Sequence, residues 1–210
     1  PHCPGAIDGK HVRIRKPPHS VSLYFNYKRY FSKVLFAVAG ADYRFLYCEV
    51  GANGSCGDAT LFNYSPLKTS ILEDRLHIPA DEVLPGMPAD SEKIPYFLVA
   101  DGAFALSAFL QKPYSRKFLT QQQRIFNYRL SRAHRVVESA FGILANRLQC
   151  LLHGLTQSDV GAMDAVFLHN LLIIRKPGNQ RQPERVIRDA PRQLDNLGAN
   201  RPQTRYPGTT

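Results

Sequence analysis

One short stretch of the chain constrains its fold more than any other. Residues 94–100 (IPYFLVA) are almost continuously apolar. A strand that is apolar at successive positions buries both of its faces, as strands do inside a parallel or mixed sheet that helices cover on both sides. The stretch therefore predicts an α/β domain with helices on both faces of a mixed sheet.

The segments before that strand predict the rest of the sheet. Residues 5–14, 27–40 and 44–50 are rich in Val, Ile and aromatic residues, which favours three earlier strands. Asp42 lies between the second and the third, where its side chain suits a hairpin turn. We therefore expect a three-strand meander, followed by alternating helices and strands.

Helical patterns occupy the remainder of the ordered chain. Asp58 is expected to cap a helix that Pro66 interrupts, and residues 103–110 to form a short helix. Residues 120–152 predict a long helix, and Ser158 is expected to cap the last one. The long helix carries an apolar stripe at spacings of 4, 3, 4 and 3, made of Val137, Phe141, Leu144, Leu148 and Leu151. Leaving the short helix aside, the predicted order is β-β-β-α-β-α-α.

The length and composition predict one globular domain with a tail. The globular part is expected to span residues 1–175, while residues 176–210 hold five Pro, three Gly and a net charge of 7 − 3 = +4, as in a disordered basic tail. The sequence opens without Met almost on top of the first predicted strand, so we expect an N-terminal segment to be missing. No apolar run reaches the roughly 18 residues of a membrane span, which excludes an integral membrane protein.

The charge of the chain is unevenly distributed. The chain has 27 Lys and Arg against 17 Asp and Glu, a net charge of +10. Residues 10–33 and 112–135 each contain seven basic residues and no acidic one. Two such blocks suit a surface that binds a polyanion such as nucleic acid, and they equally suit solvated helix faces that keep the protein in solution. The four cysteines form no CxxC pair, which favours reduced thiols in the cytosol or nucleus.

Three acidic residues lie at positions where a carboxylate could bind a metal ion or act in catalysis. Asp8 lies in the middle of the first predicted strand, Asp101 at the carboxyl end of the apolar strand, and Glu138 in the long helix beside its apolar stripe. Carboxylates are the hard oxygen ligands that Mg²⁺ prefers, and a pair of such ions can cleave a phosphodiester bond. Each acid also has a structural reading, as a turn or salt-bridge residue, a helix cap, or a partner of Arg135 or His134.

The chain resembles a known family at several blocks. Residues 5–14 (GAIDGKHVRI), 99–106 (VADGAFAL) and 124–144 (RIFNYRLSRAHRVVESAFGIL) are similar to the three catalytic blocks of the PIF/Harbinger transposases and the nucleases derived from them. Residues 41–47 and 51–58 also match intervening segments of that family. The resemblance covers about residues 1–175, which is the whole predicted globular part.

The resemblance implies a DDE endonuclease on a ribonuclease-H-like fold that hydrolyses DNA by a two-metal mechanism. Asp8, Asp101 and Glu138 would be the catalytic and metal-binding carboxylates, with Mg²⁺ or Mn²⁺ as the cofactor. Their intervals are 101 − 8 = 93 and 138 − 101 = 37 residues. The resemblance further implies DNA as substrate, a separate Myb-like or SANT-like DNA-binding partner protein, no membrane, and action in the nucleus and also the cytoplasm.

Further residues are candidates for supporting roles. His134 lies one helical turn before Glu138, where it could assist a metal-bound water, contact phosphate or form a structural hydrogen bond. Contacts to the DNA backbone are expected from basic residues of the two blocks, namely Lys10, Arg13, Arg124, Arg129, Arg132 and Arg135. Arg132 and Arg135 equally suit a role in scaffolding the helix.

Two other functions stay open at this point. The second block departs from the family at Gly102 and Ala105, and the family's N-terminal helix-turn-helix region is expected to be missing, since the sequence opens just before the first block. A domesticated module that binds DNA or a protein without catalysis is therefore the main alternative. A ribonuclease that acts on RNA–DNA hybrids follows from the fold alone.

Overall fold

The computed structural model describes most of the predicted globular part of the chain. The described residues are 2–18, 20, 22–115, 117–149, 151 and 159–175. Residues 2–175 fall in one compact unit. The predicted tail at 176–210 and the predicted cap Ser158 lie outside the described residues, so the division of the chain into a domain and a tail stays a prediction.

Five strands form one mixed sheet. The strands are β1 (Ala6–Arg13), β2 (Ser32–Ala39), β3 (Phe45–Asn53), β4 (Leu98–Val99) and β5 (Leu110–Gln111). Their order is β3-β2-β1-β4-β5, with β1, β2 and β3 antiparallel and β4 and β5 parallel to β1. The predicted meander is confirmed, and the topology is that of a ribonuclease-H-like α/β fold.

Among the described residues, four helices cover the sheet. They are α1 (Asp58–Tyr64), α2 (Pro66–Leu72), α3 (Gln121–Arg147) and α4 (Asp159–Arg175). Side chains alternate between the two faces of a strand. On β2, Phe36 joins α1 and α2 in one apolar core, while its neighbour Leu35 joins α3 and α4 in the other. The predicted placement of helices on both faces is therefore confirmed.

The long helix α3 starts where the sequence predicts and ends earlier. The side chain of Thr120 accepts a hydrogen bond from the N–H of Gln123, and the side chain of Gln123 accepts one from the N–H of Thr120, which forms a capping box. Val137, Phe141 and Leu144 are buried, as the apolar stripe predicts. The helix ends at Arg147 and does not reach residue 152.

Two local predictions are wrong. Residues 103–110 form turns that lead into β5, because the carbonyl oxygens of Phe109 and Gln111 accept hydrogen bonds from the N–H groups of Leu98 in β4 and of Ala100 just after it. Asp58 does not cap α1: the N-cap is Gly57 and no side chain caps the helix, so Asp58 is the first helical residue. The observed order is β-β-β-α-α-β-β-α-α.

In the part of the chain that the structure describes, no helix combines the length and the apolar character needed to cross a bilayer.

Candidate functional site

A pocket of about 770 Å³ opens beside β1, where β4 ends. Asp8, Asp101 and Glu138 all line it. They come from three different elements, namely β1, the turn after β4, and α3. The fold thus brings together three carboxylates that lie up to 130 residues apart in the sequence. Their catalytic role stays a prediction.

Asp8 belongs to the rigid part of the site. It pairs with Ala37 in the ladder between β1 and β2, and it shares a strand face with Ala6, which packs in the core below α3. Burial raises the pKa of Asp8 to about 6; the nearby His134 opposes this shift, and the charges of Asp58 and Asp101 add to it. Without a cation, the carboxylate at this position is therefore poorly stabilised in its charged form.

Asp101 follows β4 by two residues and is held by its own turn. Its Oδ1 atom accepts a hydrogen bond of 2.9 Å from the N–H of Ala103. The loop behind this turn is fastened by Lys112, whose ammonium donates to the carbonyl oxygens of Gly102 at 3.1 Å and Phe104 at 2.6 Å. The carboxylate is exposed to the pocket on a loop whose backbone is constrained.

Glu138 and His134 form a pair on α3. The Nδ1 atom of His134 lies 3.6 Å from Oε1 of Glu138. The interaction with His134 lowers the pKa of Glu138, against the effect of burial. Burial alone would lower the pKa of His134, but Glu138 and Asp8 outweigh it, so the pKa is raised. The Nε2 atom of His134 is buried and has no hydrogen-bond partner among the described residues.

A fourth acid, Asp58, joins the site from the opposite side of the sheet. It lines the same pocket, and burial raises its pKa, with the charge of Asp101 adding to the shift. Its carboxylate lies over Gly9, in the space that a Cβ atom would fill there. Local sequence reasoning missed this role because a carboxylate at a helix start reads as a cap. Gly9 directly after Asp8 was the available signal, because a glycine in the middle of a strand often marks a place where another group approaches the backbone closely.

The donor set fits a divalent cation. Four carboxylates border the pocket, and His134 lines it with them. Among the described residues, however, no three acidic, His or Cys side chains lie close enough to hold one ion together. Mg²⁺ binds through one or two carboxylates and keeps several waters, so the residues suit it in that mode.

The predicted DNA contacts lie apart from the pocket. Within the described residues, none of the six side chains lines it. Lys10 is half-buried in β1, and burial lowers its pKa, while the other five side chains are exposed. The guanidinium of Arg13 lies 4.6 Å from the ring centroid of Tyr30, and that of Arg132 lies 6.0 Å from that of Tyr128.

Other residues of the site were not predicted. The side-chain amide of Asn127 on α3 accepts from the N–H of Tyr114 at 2.8 Å and donates to its carbonyl oxygen at 3.0 Å. This pair ties the segment after β5 to the helix that carries Glu138. Tyr27 and Lys28 line the pocket from the loop before β2. Lys28 belongs to the first basic block, which was the only signal for this loop in the sequence.

Comparison with known proteins agrees with this geometry. The family model described as DDE superfamily endonuclease matches residues 7–171. "Protein ALP1-like" of Arabidopsis thaliana is 28% identical over 188 residues, which are 82% of this chain and 43% of that protein. The chain therefore spans less than half the length of this relative. No solved structure matches.

The matched range contains all four acids of the pocket and every strand except the first residue of β1. The resemblance found in the sequence is confirmed over most of the chain, and the protein belongs to the DDE superfamily endonuclease family.

Proposed function

We propose that this chain is the catalytic domain of a DNA endonuclease that hydrolyses phosphodiester bonds with Mg²⁺ or Mn²⁺. The observation that carries the proposal is the convergence of Asp8, Asp101 and Glu138 on one pocket from three separate elements. The family match supports the class of activity. Asp8, Asp101 and Glu138 would hold the divalent ions, and a bound pair would supply an activated water and stabilisation of the leaving oxygen.

Different contacts position the individual carboxylates of the pocket. Asp8 lies in the sheet and fixes one point of the site, while Asp101 is oriented by its bond to the N–H of Ala103. His134 orients Glu138 through Nδ1. A scissile phosphate would enter beside Lys28, whose charge offsets that of the carboxylates.

The test is a nicking assay on supercoiled plasmid with Mg²⁺ or Mn²⁺. We expect cleavage by the wild type, and a loss of nearly all activity in Asp101→Asn, because the amide keeps the shape and removes the charge that a cation needs. Asp42→Asn is the matched control, since Asp42 is an exposed turn residue that pairs with Arg44. Equal cleavage by the wild type and Asp101→Asn would exclude this assignment.

The nicking assay, together with a measurement of DNA binding, decides the alternative function. A non-catalytic DNA-binding module would bind DNA in a salt-dependent manner, with no turnover and no effect of Asp8→Asn on binding. Parallel substrates of duplex DNA and of an RNA–DNA hybrid distinguish a deoxyribonuclease from a ribonuclease.

The setting of the activity is part of the proposal. Nuclear action, additional presence in the cytoplasm and a Myb-like or SANT-like partner protein rest on the resemblance to PIF/Harbinger-derived proteins. The net charge of +10 favours an anionic substrate such as DNA. Localisation of a tagged chain, followed by identification of co-purifying proteins, tests these points: nuclear exclusion would contradict the first.

A further inference from the structure

A tight turn carries two side chains to the mouth of the pocket. Tyr27 and Lys28 line the pocket together with Asp8, yet they come from the loop before β2. Tyr27 is 78% exposed, although a tyrosine ring gains free energy when it is covered. Tyr114 also lines the pocket and is 48% exposed, so the ring of Tyr27 is the more exposed of these two aromatic side chains.

Buried polar groups hold the backbone of that turn. Asn26 is only 3% exposed, and its Oδ1 atom accepts hydrogen bonds from the N–H groups of Lys28 at 3.0 Å and Tyr30 at 3.2 Å. Its Nδ2 atom donates to Oγ of Ser32 at 2.9 Å, and Ser32 is fully buried. Satisfied polar networks in the interior rigidify what they connect, so Tyr27 is presented from a fixed backbone.

The packing around the turn leaves little room for rearrangement. Gly54 lies against it so closely that a Cβ atom there would be 2.6 Å from the carbonyl oxygens of Tyr24 and Ser32. Arg29 adopts a left-handed conformation with φ of 65°, which other interactions must maintain. An exposed turn that is held by buried hydrogen bonds and close packing is typical of binding loops on a rigid scaffold.

The ring itself has a basic environment. The imidazole of His11 contacts its edge with ring centroids 5.4 Å apart, and His11 is anchored by a 3.0 Å hydrogen bond with Oγ of Ser32. The ammonium of Lys28 lies 5.4 Å from the centroid of the ring. An aromatic surface beside a cation is the arrangement by which proteins hold single-stranded nucleic acid, with bases on the rings and phosphates on the charges.

We propose that Tyr27 is a base-stacking subsite of the pocket, which holds an unpaired nucleobase while Lys28 contacts the adjacent phosphate. The inference rests on the proposed function, and it specifies the form of the substrate. A base inside a duplex has both faces covered by its neighbours, so only an unpaired or extruded base offers a face to Tyr27. A pocket of about 770 Å³ is within the usual size range of ligand sites.

The test measures binding without catalysis. Fluorescence anisotropy in Ca²⁺ compares the full chain and its variants on three oligonucleotides of equal length: a single strand, a duplex with one unpaired nucleotide, and a fully paired duplex. For Tyr27→Ala, we expect binding to weaken about tenfold on the first two and to change less than twofold on the third, because stacking of one base contributes about 1–3 kcal/mol.

Two variants control the interpretation. Tyr27→Phe keeps the stacking surface and should bind like the wild type. Tyr64→Ala removes a ring that is 86% exposed at the end of α1, does not line the pocket, and should change nothing. Thermal melting should be unaltered by Tyr27→Ala, since the ring is exposed.

The outcomes separate this inference from the proposed function. Equal weakening on all three oligonucleotides, or none on any, overturns the stacking subsite while DNA binding by the wild type stands. Failure of the wild type to bind any DNA overturns both. Cleavage is not needed for either result.

Discussion

The side-chain amide of Asn170 makes hydrogen bonds with both backbone groups of Phe45. Its Oδ1 atom accepts from the N–H and its Nδ2 atom donates to the carbonyl oxygen, each at 2.9 Å. Phe45 begins β3, which is the edge strand of the sheet. The Asn170 amide therefore supplies the two hydrogen bonds that a neighbouring strand would make at this position, and it attaches α4 to the sheet.

Replacing this amide should destabilise the fold. We expect Asn170→Ala to lower the free energy of unfolding by about 2 kcal/mol, because it leaves two backbone groups without partners. Urea denaturation followed by circular dichroism measures the change. The control is Leu168→Ala on the same helix, where the side chain is 43% exposed and the expected cost is small. Equal destabilisation by both variants would show that the amide contributes nothing specific.

The neighbouring His169 should make stability depend on pH. Its Nε2 atom donates to the carbonyl oxygen of Tyr43 at 2.9 Å, its side chain is fully buried, and its Nδ1 atom has no partner among the described residues. Burial lowers the pKa of His169; the carbonyl of Tyr43 opposes this shift and the charge of Arg147 adds to it. The folded state thus resists protonation. The unfolded state takes up a proton near pH 6.5, so stability is complete above that pH and falls as the pH drops below it.

The measurement is the urea midpoint at pH 7.5 and at pH 5.5, for the wild type and His169→Gln. We expect the wild type to lose more stability than the variant over this interval, and the difference between the two isolates His169 from other titrating groups. Parallel pH profiles would contradict the prediction.

Gly9 and Asp58 should behave as a coupled pair. A Cβ atom at Gly9 would collide with the Asp58 carboxylate, so Gly9→Ala must displace that side chain. We expect a cost of about 1–3 kcal/mol in the free energy of unfolding, as for other overpacked sites. The cost should nearly vanish in an Asp58→Ala background, because the collision is gone. A double-mutant cycle measures this coupling, and strict additivity would show that the two residues do not touch.

Lys112 should act as a positioning residue for Asp101. Its ammonium fastens the carbonyl oxygens of Gly102 and Phe104, and without it the Asp101 loop is free to shift. For Lys112→Met we expect nicking to fall roughly 10- to 100-fold with little change in DNA affinity, since a displacement of about 1 Å can cost that much. Lys117→Met, which removes an exposed charge nearby, is the control for a purely electrostatic effect. Equal losses in both variants would favour electrostatics over positioning.

Local patterns predicted most of this fold because they encode burial directly. The apolar stripe of α3 matches the face that the structure buries, and the apolar residues of β2 are buried on both faces of the sheet. Asp8 was found because a carboxylate is disfavoured inside a strand, Asp101 because ligands bind at strand ends, and Glu138 because it lies beside the apolar stripe of α3. The bonds of His169 and Asn170 to the backbone of Tyr43 and Phe45 join segments more than 120 residues apart, so no local pattern predicts them.

The errors share a physical cause. Residues 103–110 have helical propensity, but the backbone in and just after β4 provides hydrogen-bond partners for Phe109 and Gln111, and this tertiary pairing outweighs propensity. Asp58 has the chemistry of a cap, but a space above Gly9 accepts its carboxylate. The first outcome depends on backbone groups 109 − 98 = 11 residues away and the second on a residue 58 − 9 = 49 positions away, and neither contact is visible in the local pattern.

Because α3 is one continuous helix, the distance between residues at its two parts is fixed. Glu138 and Arg124 lie 14 residues apart on this one helix. At a rise of 1.5 Å per residue, that is about 21 Å along a single rod. Any nucleic acid held by the arginine at one end would present its backbone to the carboxylate at a constant offset. The length of the helix would thus set the distance between the phosphate bound by Arg124 and the position at which the strand is cut.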